Sequence, residues 1–308
     1  MNGLLYLPRQ EVAELLPDIR EQLDLVEATY RALAAGRVEL PPKPGVHPRR
    51  DSFIHAMPAY LADEDVAALK WVSGYPANKE RGLPYIAGLI VLNDAETGLP
   101  VALMDGAEIT AARTAAASGV CVRRWAPAGW RSAAILGCGE QGVFHARLLR
   151  ALEPAVRIRA YDPHPGRIER LGAVDPAASE EDAVAGAEVV VTAAPIVEQP
   201  QPVIGPEALG ERWLVLPIDF DALVRRGVIE AAELFAVDDV GQFEYYREQG
   251  HFRAWPQPDG SVGELLEGRG APARVACVNL GIGALDAAFA ARVLAAARER
   301  GVGTSLSR

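Results

Sequence analysis

The chain has 308 residues, of which 50% are hydrophobic and 23% charged, which is enough apolar material for two packed domains. This composition excludes a disordered or collagen-like chain. The formal net charge of −10 provides no basic surplus that could neutralise phosphates. We therefore expect neither a nucleic acid nor a membrane as a partner, whereas one local cationic pocket would suffice for a small acidic ligand.

The three cysteines, Cys121, Cys138 and Cys277, lack the spacing of a zinc site, and their odd number does not suit a disulfide framework. We therefore expect no metal. The N-terminal sequence lacks a cationic segment followed by a long apolar run, and no segment reaches the roughly 18 apolar residues of a membrane span. These features predict a cytoplasmic protein.

The first stretch is predicted to be helical, with a break at Pro17 and a second helix that Asp18 caps and Gly36 ends. The proline-rich segment 40–48 is predicted to be extended. Turn residues between strand-like runs favour an antiparallel sheet. The predicted strands are Phe53–Met57, Ala67–Ser73, Ile86–Leu92 and Pro100–Met104, and an alanine-rich helix at Thr110–Arg123 follows them.

From about residue 130 onward, strands alternate with helices, which predicts βαβ units and a parallel sheet. The predicted strands are Ser132–Leu136, Val156–Tyr161, Ala187–Ala194, Trp213–Asp219 and Leu234–Val237. The last helix, Ala284–Arg298, is amphipathic, and we expect it to pack back on the N-terminal domain. The predicted fold is α/β, with a parallel-sheet domain at residues 119–274 and a discontinuous α+β domain at residues 1–118 and 275–308.

The loop Gly137-Cys-Gly-Glu-Gln-Gly142 has the GxGxxG spacing of a dinucleotide-binding turn, between a predicted strand and a predicted helix. Gly137 allows the tight turn, Gly139 lets the backbone approach a pyrophosphate, and Gly142 permits close helix–sheet packing. Glu140 and Gln141 complete the candidate cofactor loop, and the helix N-terminus offers N–H groups to phosphates. A Rossmann-type domain is thus predicted, with an ordinary βα turn as the alternative.

Asp162 follows the next predicted strand, where a carboxylate would bond both hydroxyls of a ribose. A carboxylate there repels a 2′-phosphate, which favours NAD over NADP as cofactor. His164 and Arg167 lie close behind and weaken that preference. A solvated loop acid is the alternative interpretation of Asp162.

Several charged residues are candidates for a reacting site. Lys70 lies in an apolar run, where an ammonium is costly unless it meets an anion or faces solvent. Asp219 ends a predicted buried strand, and ligands gather at the carboxyl ends of such strands. Taken singly, Arg113 in its alanine-rich helix is typical of a snorkelling surface residue, His55 is more typical of a structural histidine, and Lys43 gives no signal of its own.

Together, these residues lie in segments that resemble the ornithine cyclodeaminase/mu-crystallin family. The resemblance rests on runs that occur in the family's order over most of the chain. They are Lys70-Trp-Val-Ser-Gly-Tyr-Pro, Asn93-Asp-Ala-Glu-Thr-Gly-Leu-Pro-Val-Ala-Leu-Met-Asp-Gly106, Ile109-Thr-Ala-Ala-Arg-Thr-Ala-Ala-Ala-Ser118, the glycine loop and Leu280-Gly-Ile-Gly-Ala-Leu-Asp286.

The resemblance implies a substrate-binding and dimerisation domain beside an NAD-binding Rossmann domain, in a homodimeric enzyme that moves a hydride to or from Cα of a small amino or imino acid. Position by position, it implies that Lys70 and Asp219 are catalytic. It places five residues at the substrate: Lys43, His55, Met57, Lys70 and Arg113. It adds five residues to the glycine loop and Asp162 at the cofactor: Arg113, Thr114, Thr192, Asp219 and Asn279.

The chain also departs from the family pattern. Lys43 stands where ornithine cyclodeaminases have an arginine, and a lysine cannot form the bidentate fork. His55 stands where that branch has a glutamate facing the distal amine of its substrate. These departures favour an amino-acid dehydrogenase or an imine reductase. A true ornithine cyclodeaminase and a largely non-catalytic, crystallin-like nucleotide-binding protein remain the alternatives.

Overall fold

The structure is a computed structural model that describes residues 3–197, 199–268, 270 and 272–307. The outermost positions of the predicted domains, residues 1, 2 and 308, lie outside that description. The chain forms two compact units, the first made of residues 1–113 and 281–308 and the second of residues 114–280. We refer to them as unit 1 and unit 2.

The first part of the chain forms strands of one sheet, with two helices after the first strand and a long helix after the last. They are β1 (Gly3–Leu7), α1 (Arg9–Leu15), α2 (Ile19–Ala34), β2 (Val38–Glu39), β3 (Gly45–Val46), β4 (Phe53–Leu61), β5 (Val66–Gly74), β6 (Ile86–Asp94), β7 (Pro100–Asp105) and α3 (Ala107–Trp125).

The strands that follow, β8 to β15, form a second sheet, with helices between several of them. They are β8 (Ser132–Leu136), α4 (Glu140–Leu152), β9 (Arg157–Tyr161), β10 (Asp175–Pro176), α5 (Glu180–Val184), β11 (Val189–Thr192), β12 (Trp213–Pro217), α6 (Arg226–Ala231), β13 (Leu234–Val237), α7 (Val240–Glu248), β14 (Gly260–Ser261), α8 (Val262–Leu265) and β15 (Arg274–Val278). The chain ends with α9 (Gly283–Arg300) and β16 (Thr304–Ser307).

Unit 1 is built on a mostly antiparallel sheet with the strand order β16-β1-β7-β6-β5-β4-β2, and β3 pairs with β4. The first stretch, predicted to be helical, begins instead with strand β1, which pairs with β7 and β16. These partners lie far away in the sequence, so local periodicity did not reveal the strand. Helix α9 packs against β4, β5 and α2, and its alanine-rich inner face is buried.

Unit 2 is a parallel sheet with the strand order β10-β9-β8-β11-β12-β15-β13-β14. Its first five strands in sequence follow the order 3-2-1-4-5 of a doubly wound nucleotide-binding fold. The predicted α/β fold class is thereby confirmed. Strand β15 escaped prediction, and the predicted domain limit at 275 falls inside it, whereas the chain stays in unit 2 until residue 280.

The core of unit 2 explains why its central strands are almost continuously apolar. Strands β11 and β12 are buried along their whole length because helices cover a parallel sheet on both faces. Cys121 and Cys277 are buried there as free thiols, with their Sγ atoms 3.1 Å apart. Among the described residues, no group of acids, histidines and cysteines could hold a metal ion. The described helices also include none with the length and apolarity needed to cross a membrane.

Candidate functional site

The carboxyl edge of the unit 2 sheet collects the predicted cofactor residues. The glycine loop follows β8, Asp162 follows β9, Thr192 ends β11, Asp219 lies two residues after β12, and Asn279 follows β15. Because all these strands are parallel, their carboxyl ends lie at the same edge of the sheet. Ligands of open α/β sheets bind at this edge, near the point where the strand order reverses, here between β8 and β11.

The glycine loop has the geometry that its spacing predicts. Gly137 has a φ of +97°, and a Cβ there would lie 2.4 Å from the carbonyl oxygen of Ala193. A Cβ at Gly142 would lie 2.4 Å from the carbonyl oxygen of Gly137, so helix α4 packs against the turn itself. A Cβ at Gly139 would meet nothing within 4 Å, which leaves open space beside the backbone at the helix N-terminus. The loop thus fits a pyrophosphate.

Asp162 is a structural acceptor for this loop. Its side chain is 5% exposed, one oxygen accepts from Cys138 N at 2.9 Å and the other from His164 N at 2.8 Å. Arg167 Nη1 lies 3.7 Å from the same carboxylate. A carboxylate has about four acceptor sites in total, so Asp162 retains the capacity to bind hydroxyl groups.

The other two loop side chains have different surroundings. Glu140 is half exposed and pairs with Arg170 at 3.1 Å, at the surface of α4. Gln141 has a buried Oε1 without a hydrogen-bond partner among the described residues, and its backbone carbonyl contacts His145 Nδ1 at 2.8 Å.

Asp219 is a buried carboxyl group beside Thr192. Its Oδ1 accepts from Thr192 Oγ1 at 2.5 Å and its Oδ2 accepts from Ala194 N at 3.0 Å. Burial raises the pKa of Asp219 to about 7, although these hydrogen bonds oppose the rise. The next residue, Phe220, has a φ of +62°. Strained backbone conformations of this kind cluster at active sites and ligand-binding sites. This carboxyl group can therefore both accept and donate a proton near neutral pH.

Unit 1 contains a buried cluster of charges around Asp286. Lys70 Nζ lies 2.8 Å from one carboxylate oxygen of Asp286, and Arg113 Nε lies 3.1 Å from the other. Lys70 also donates to Thr110 Oγ1 at 3.3 Å. Burial and the neighbouring Arg113 lower the pKa of Lys70 to about 8, while Asp286 counteracts them. Lys70 thus lies on the buried face of β5, not on a solvated edge.

Lys43 joins this cluster through the backbone of Gly281. Its Nζ donates to the carbonyl oxygen of Gly281 at 3.0 Å. A Cβ at Gly281, where φ is +80°, would lie 2.8 Å from Arg113 Nη1. Three cationic side chains therefore lie in this cluster, of which Lys70 and Arg113 contact Asp286 while Lys43 contacts the Gly281 carbonyl. The surplus of positive charge suits an anionic ligand such as a carboxylate.

His55 and Met57 lie beside this cluster on β4. Met57 is buried and pairs in register with Lys70 on β5. The ring of His55 stacks on Phe53 with centroids 4.4 Å apart. Burial, followed by the charges of Lys43, His47 and Lys70, lowers the pKa of His55 to about 3. His55 is therefore neutral at physiological pH.

The sequence did not reveal several residues of these clusters. Asp286 was part of a recognised motif but had no assigned role, although one acid in an alanine-rich helix was the available signal. Thr110 was also missed. In unit 2, Ser118 and His145 form a buried network with Asn279 that no local pattern predicted. Thr114 is 4% exposed and lies in α3 next to Arg113.

The fold and these clusters define a class of protein, one with a Rossmann-type nucleotide-binding unit and a second unit that holds a cationic site. The model of the ornithine cyclodeaminase/mu-crystallin family matches residues 6–228. The chain belongs to this family, which confirms the predicted membership.

Similar proteins support this assignment over the whole length. The nodulation efficiency protein NfeD of Rhizobium meliloti is 36% identical over 98% of either chain. The structure of Thermococcus litoralis Δ(1)-pyrroline-2-carboxylate reductase in complex with NADH and L-proline has a TM-score of 0.88 and 25% identity, and covers 98% of this chain and 100% of its own. An archaeal alanine dehydrogenase dimer with bound NAD has a TM-score of 0.86 and 26% identity, over 99% of each chain.

Proposed function

We propose that this chain is an NAD-dependent oxidoreductase that transfers a hydride to or from Cα of a small amino or imino acid, as an amino-acid dehydrogenase or an imine reductase. The observation that carries the proposal is Asp219, a buried carboxyl group with a pKa of about 7 at the carboxyl edge of the nucleotide-binding sheet. Relatives that bind NADH with L-proline, or NAD as an alanine dehydrogenase, support it.

The residues present fit NAD. The glycine loop and the N-terminus of α4 would hold the pyrophosphate, and Asp162 would accept from the ribose. When bound, NAD supplies the two-electron partner for a hydride at Cα. Asp219 would take the proton that the substrate nitrogen loses on oxidation, or return it on reduction. For an amine that arrives already deprotonated, Asp219 would stay ionised, and its negative charge would stabilise the positive charge that develops on that nitrogen.

In unit 1, the buried cations would bind the substrate carboxylate. Lys70 and Arg113 already share Asp286, and Lys43 adds a third positive charge. Arg113 remains charged at any relevant pH, whereas Lys70, with its pKa of about 8, is sensitive to mildly alkaline conditions. A carboxylate bound here would neutralise part of the buried charge, which favours an amino or imino acid over a neutral amine.

His55 is the feature that distinguishes this activity from ornithine cyclodeamination. A cyclodeaminase must hold a substrate with a second, distal ammonium group. A neutral His55 beside Lys43 supplies no negative charge for such a group. The cluster therefore favours a substrate without a cationic side chain.

The proposal is tested by incubating the purified protein with a panel of L-amino acids and NAD⁺, and with cyclic imino acids or 2-keto acids plus ammonium and NADH. We expect a change in nicotinamide absorbance with at least one substrate that lacks a second amine. Ammonia release from ornithine without net NADH would instead identify a cyclodeaminase. Absence of turnover in both directions, with NAD binding retained, would indicate the crystallin-like alternative.

We expect the protein to bind NAD⁺ at least about tenfold more tightly than NADP⁺, because Asp162 repels a 2′-phosphate. The variant Asp162→Ser keeps an acceptor for Cys138 N but removes the charge, and leaves Arg167 in place. It should reverse or abolish the preference, as measured by calorimetric titration with both dinucleotides. Equal affinities in the unaltered protein would show that Asp162 has no such role.

We also propose that a second copy of this chain covers one face of the unit 1 sheet. Trp71 and Leu89 pair in register on β5 and β6 and are 49% and 42% exposed. The adjacent pair, Lys70 and Ile90, lies on the opposite, buried face of the sheet. The alanine dehydrogenase relative is a dimer. Exposed apolar surface of this kind typically marks an association site.

Light scattering after size-exclusion chromatography should therefore give a dimer for the unaltered protein and a monomer for the double variant Trp71→Glu, Leu89→Glu. Two carboxylates on this face would have to lose their water on association. The control is Leu99→Glu, at a similarly exposed leucine outside the strands. A dimer that survives the double change would place the interface elsewhere.

A further inference from the structure

Three buried side chains of unit 2 form a hydrogen-bonded chain that the proposed chemistry does not use. His145 of α4 and Ser118 of α3 are both 0% exposed, and Asn279 after β15 is 3% exposed. His145 Nε2 lies 2.9 Å from Ser118 Oγ, and Asn279 Nδ2 lies 3.1 Å from the same oxygen. The other nitrogen of His145 lies 2.8 Å from the backbone carbonyl of Gln141.

The donor and acceptor of each hydrogen bond in this network follow from the bond between His145 and the backbone carbonyl of Gln141. A backbone carbonyl can only accept, so His145 Nδ1 carries the hydrogen that bonds to Gln141. Burial lowers the pKa of His145 to about 4, so the ring is neutral and its Nε2 is an acceptor. Ser118 therefore donates its single hydroxyl hydrogen to His145, at a shorter distance than the 3.4 Å to the carbonyl of Thr114.

The orientation of the Asn279 amide follows from this sequence of donors and acceptors. The hydroxyl hydrogen of Ser118 is already donated to His145, so Ser118 Oγ accepts a hydrogen bond from the Asn279 amide nitrogen. The amide oxygen of Asn279, Oδ1, is therefore the end of the side chain that does not contact Ser118. It is buried and has no hydrogen-bond partner among the described residues. A buried acceptor without a partner is rare in proteins, and a donor on a bound ligand would satisfy it.

The position of Asn279 in the sheet identifies the end of a dinucleotide that this acceptor would meet. It follows β15, which neighbours β12, the strand before Asp219. Asp162, the candidate ribose ligand, follows β9 on the other side of β8. The adenine amino group would therefore lie toward β9, away from Asn279, and the nicotinamide carboxamide is the remaining NH₂ donor of the cofactor.

We propose that Asn279 Oδ1 accepts a hydrogen bond from the nicotinamide carboxamide, and that Ser118 and His145 are positioning residues that hold the Asn279 amide in the accepting orientation. This inference rests on the proposed function, since it requires NAD in unit 2. It assigns to α4 a second role, because the same helix that begins at the glycine loop also fixes, through His145, the group that recognises the other end of the cofactor.

The test compares three ligands by calorimetric titration of the full-length protein. They are NAD⁺, acetylpyridine adenine dinucleotide, in which a methyl ketone replaces the amide, and ADP-ribose, which lacks the ring. The unaltered protein should bind NAD⁺ about tenfold more tightly than the acetylpyridine compound. Asn279→Leu, of similar volume, should bind the two dinucleotides about equally and should keep its affinity for ADP-ribose.

Ser118→Ala and His145→Phe test the positioning role. Both should lose most of the discrimination between the two dinucleotides, because the Asn279 amide is then free to rotate, and both should retain ADP-ribose binding. If Ser118 and His145 had a merely structural role, the two variants would bind all three ligands more weakly. Equal affinity of the unaltered protein for both dinucleotides, or discrimination that survives Asn279→Leu, would overturn the inference alone. Failure to bind ADP-ribose and NAD⁺ altogether would overturn the proposed function as well.

Discussion

Asp219→Asn should lower turnover by about 10²- to 10⁴-fold, the range expected for loss of a general acid–base group, while the affinity for NAD⁺ stays within a few-fold. Asparagine keeps the shape and can still accept from Thr192 or Ala194, so the site is preserved. It cannot take a proton from the substrate nitrogen or stabilise positive charge there. Initial rates and calorimetric NAD⁺ titration on the same preparation provide the two measurements.

The pH dependence gives this prediction a second, independent readout. For amino-acid oxidation, Asp219 must be ionised, so kcat/KM should rise as the pH passes about 7. Lys70 must be protonated to bind a carboxylate, so kcat/KM should fall above about pH 8. Asp219→Asn should lose the rising limb and keep the falling one.

The matched control is Asp221→Asn, at a buried carboxyl group two residues further on. Asp221 accepts from Phe252 N at 2.8 Å and has a structural position. Its negative charge contributes to the raised pKa of Asp219, so the variant should move the rising limb to lower pH with little loss of maximal turnover. Full activity of Asp219→Asn would rule out Asp219 as the acid–base group. Absence of activity from the unaltered protein and from both variants would favour a binding protein.

Asp286→Ala should lower the free energy of unfolding by about 3–5 kcal/mol, because it leaves buried cations without their shared carboxylate. Lys70 and Arg113 both contact Asp286, which is 1% exposed. Lys70, with its pKa already near 8, can lose its proton and relieve part of the penalty. Arg113 cannot, since a guanidinium stays charged. Equilibrium urea denaturation at neutral pH measures the change.

The control for Asp286 is Asp63→Ala, which removes the partner of Arg37 in the same unit. Both of those side chains are about half exposed, and such surface pairs contribute at most about 1 kcal/mol. The double variant Asp286→Ala, Arg113→Met should recover part of the lost stability, since it removes the stranded charge. If Asp286→Ala destabilises no more than Asp63→Ala, its loss strands no buried charge, which would contradict this prediction.

Local sequence was sufficient for the nucleotide-binding edge. An apolar strand, a glycine turn and a helix are encoded by neighbouring residues, so the loop from Gly137 to Gly142 and the acid after the next strand could be placed without a structure. The same holds for Asp219, because a carboxylate that ends a buried parallel strand necessarily lies at the ligand-binding edge. The family motifs extended the prediction to Lys70 and Arg113.

The tertiary structure alone decided the partners of these residues. Arg113 of α3 and Asp286 of α9 lie 173 positions apart in the chain and meet only through the packing of the folded unit, in which α9 also lies against β4 and β5. Strands β1 and β15 were missed because their partners are distant in sequence. The network of His145, Ser118 and Asn279 likewise joins three separate elements. Sequence periodicity reports the face of an element that is buried, but the side chains that meet across that face depend on register and packing between elements.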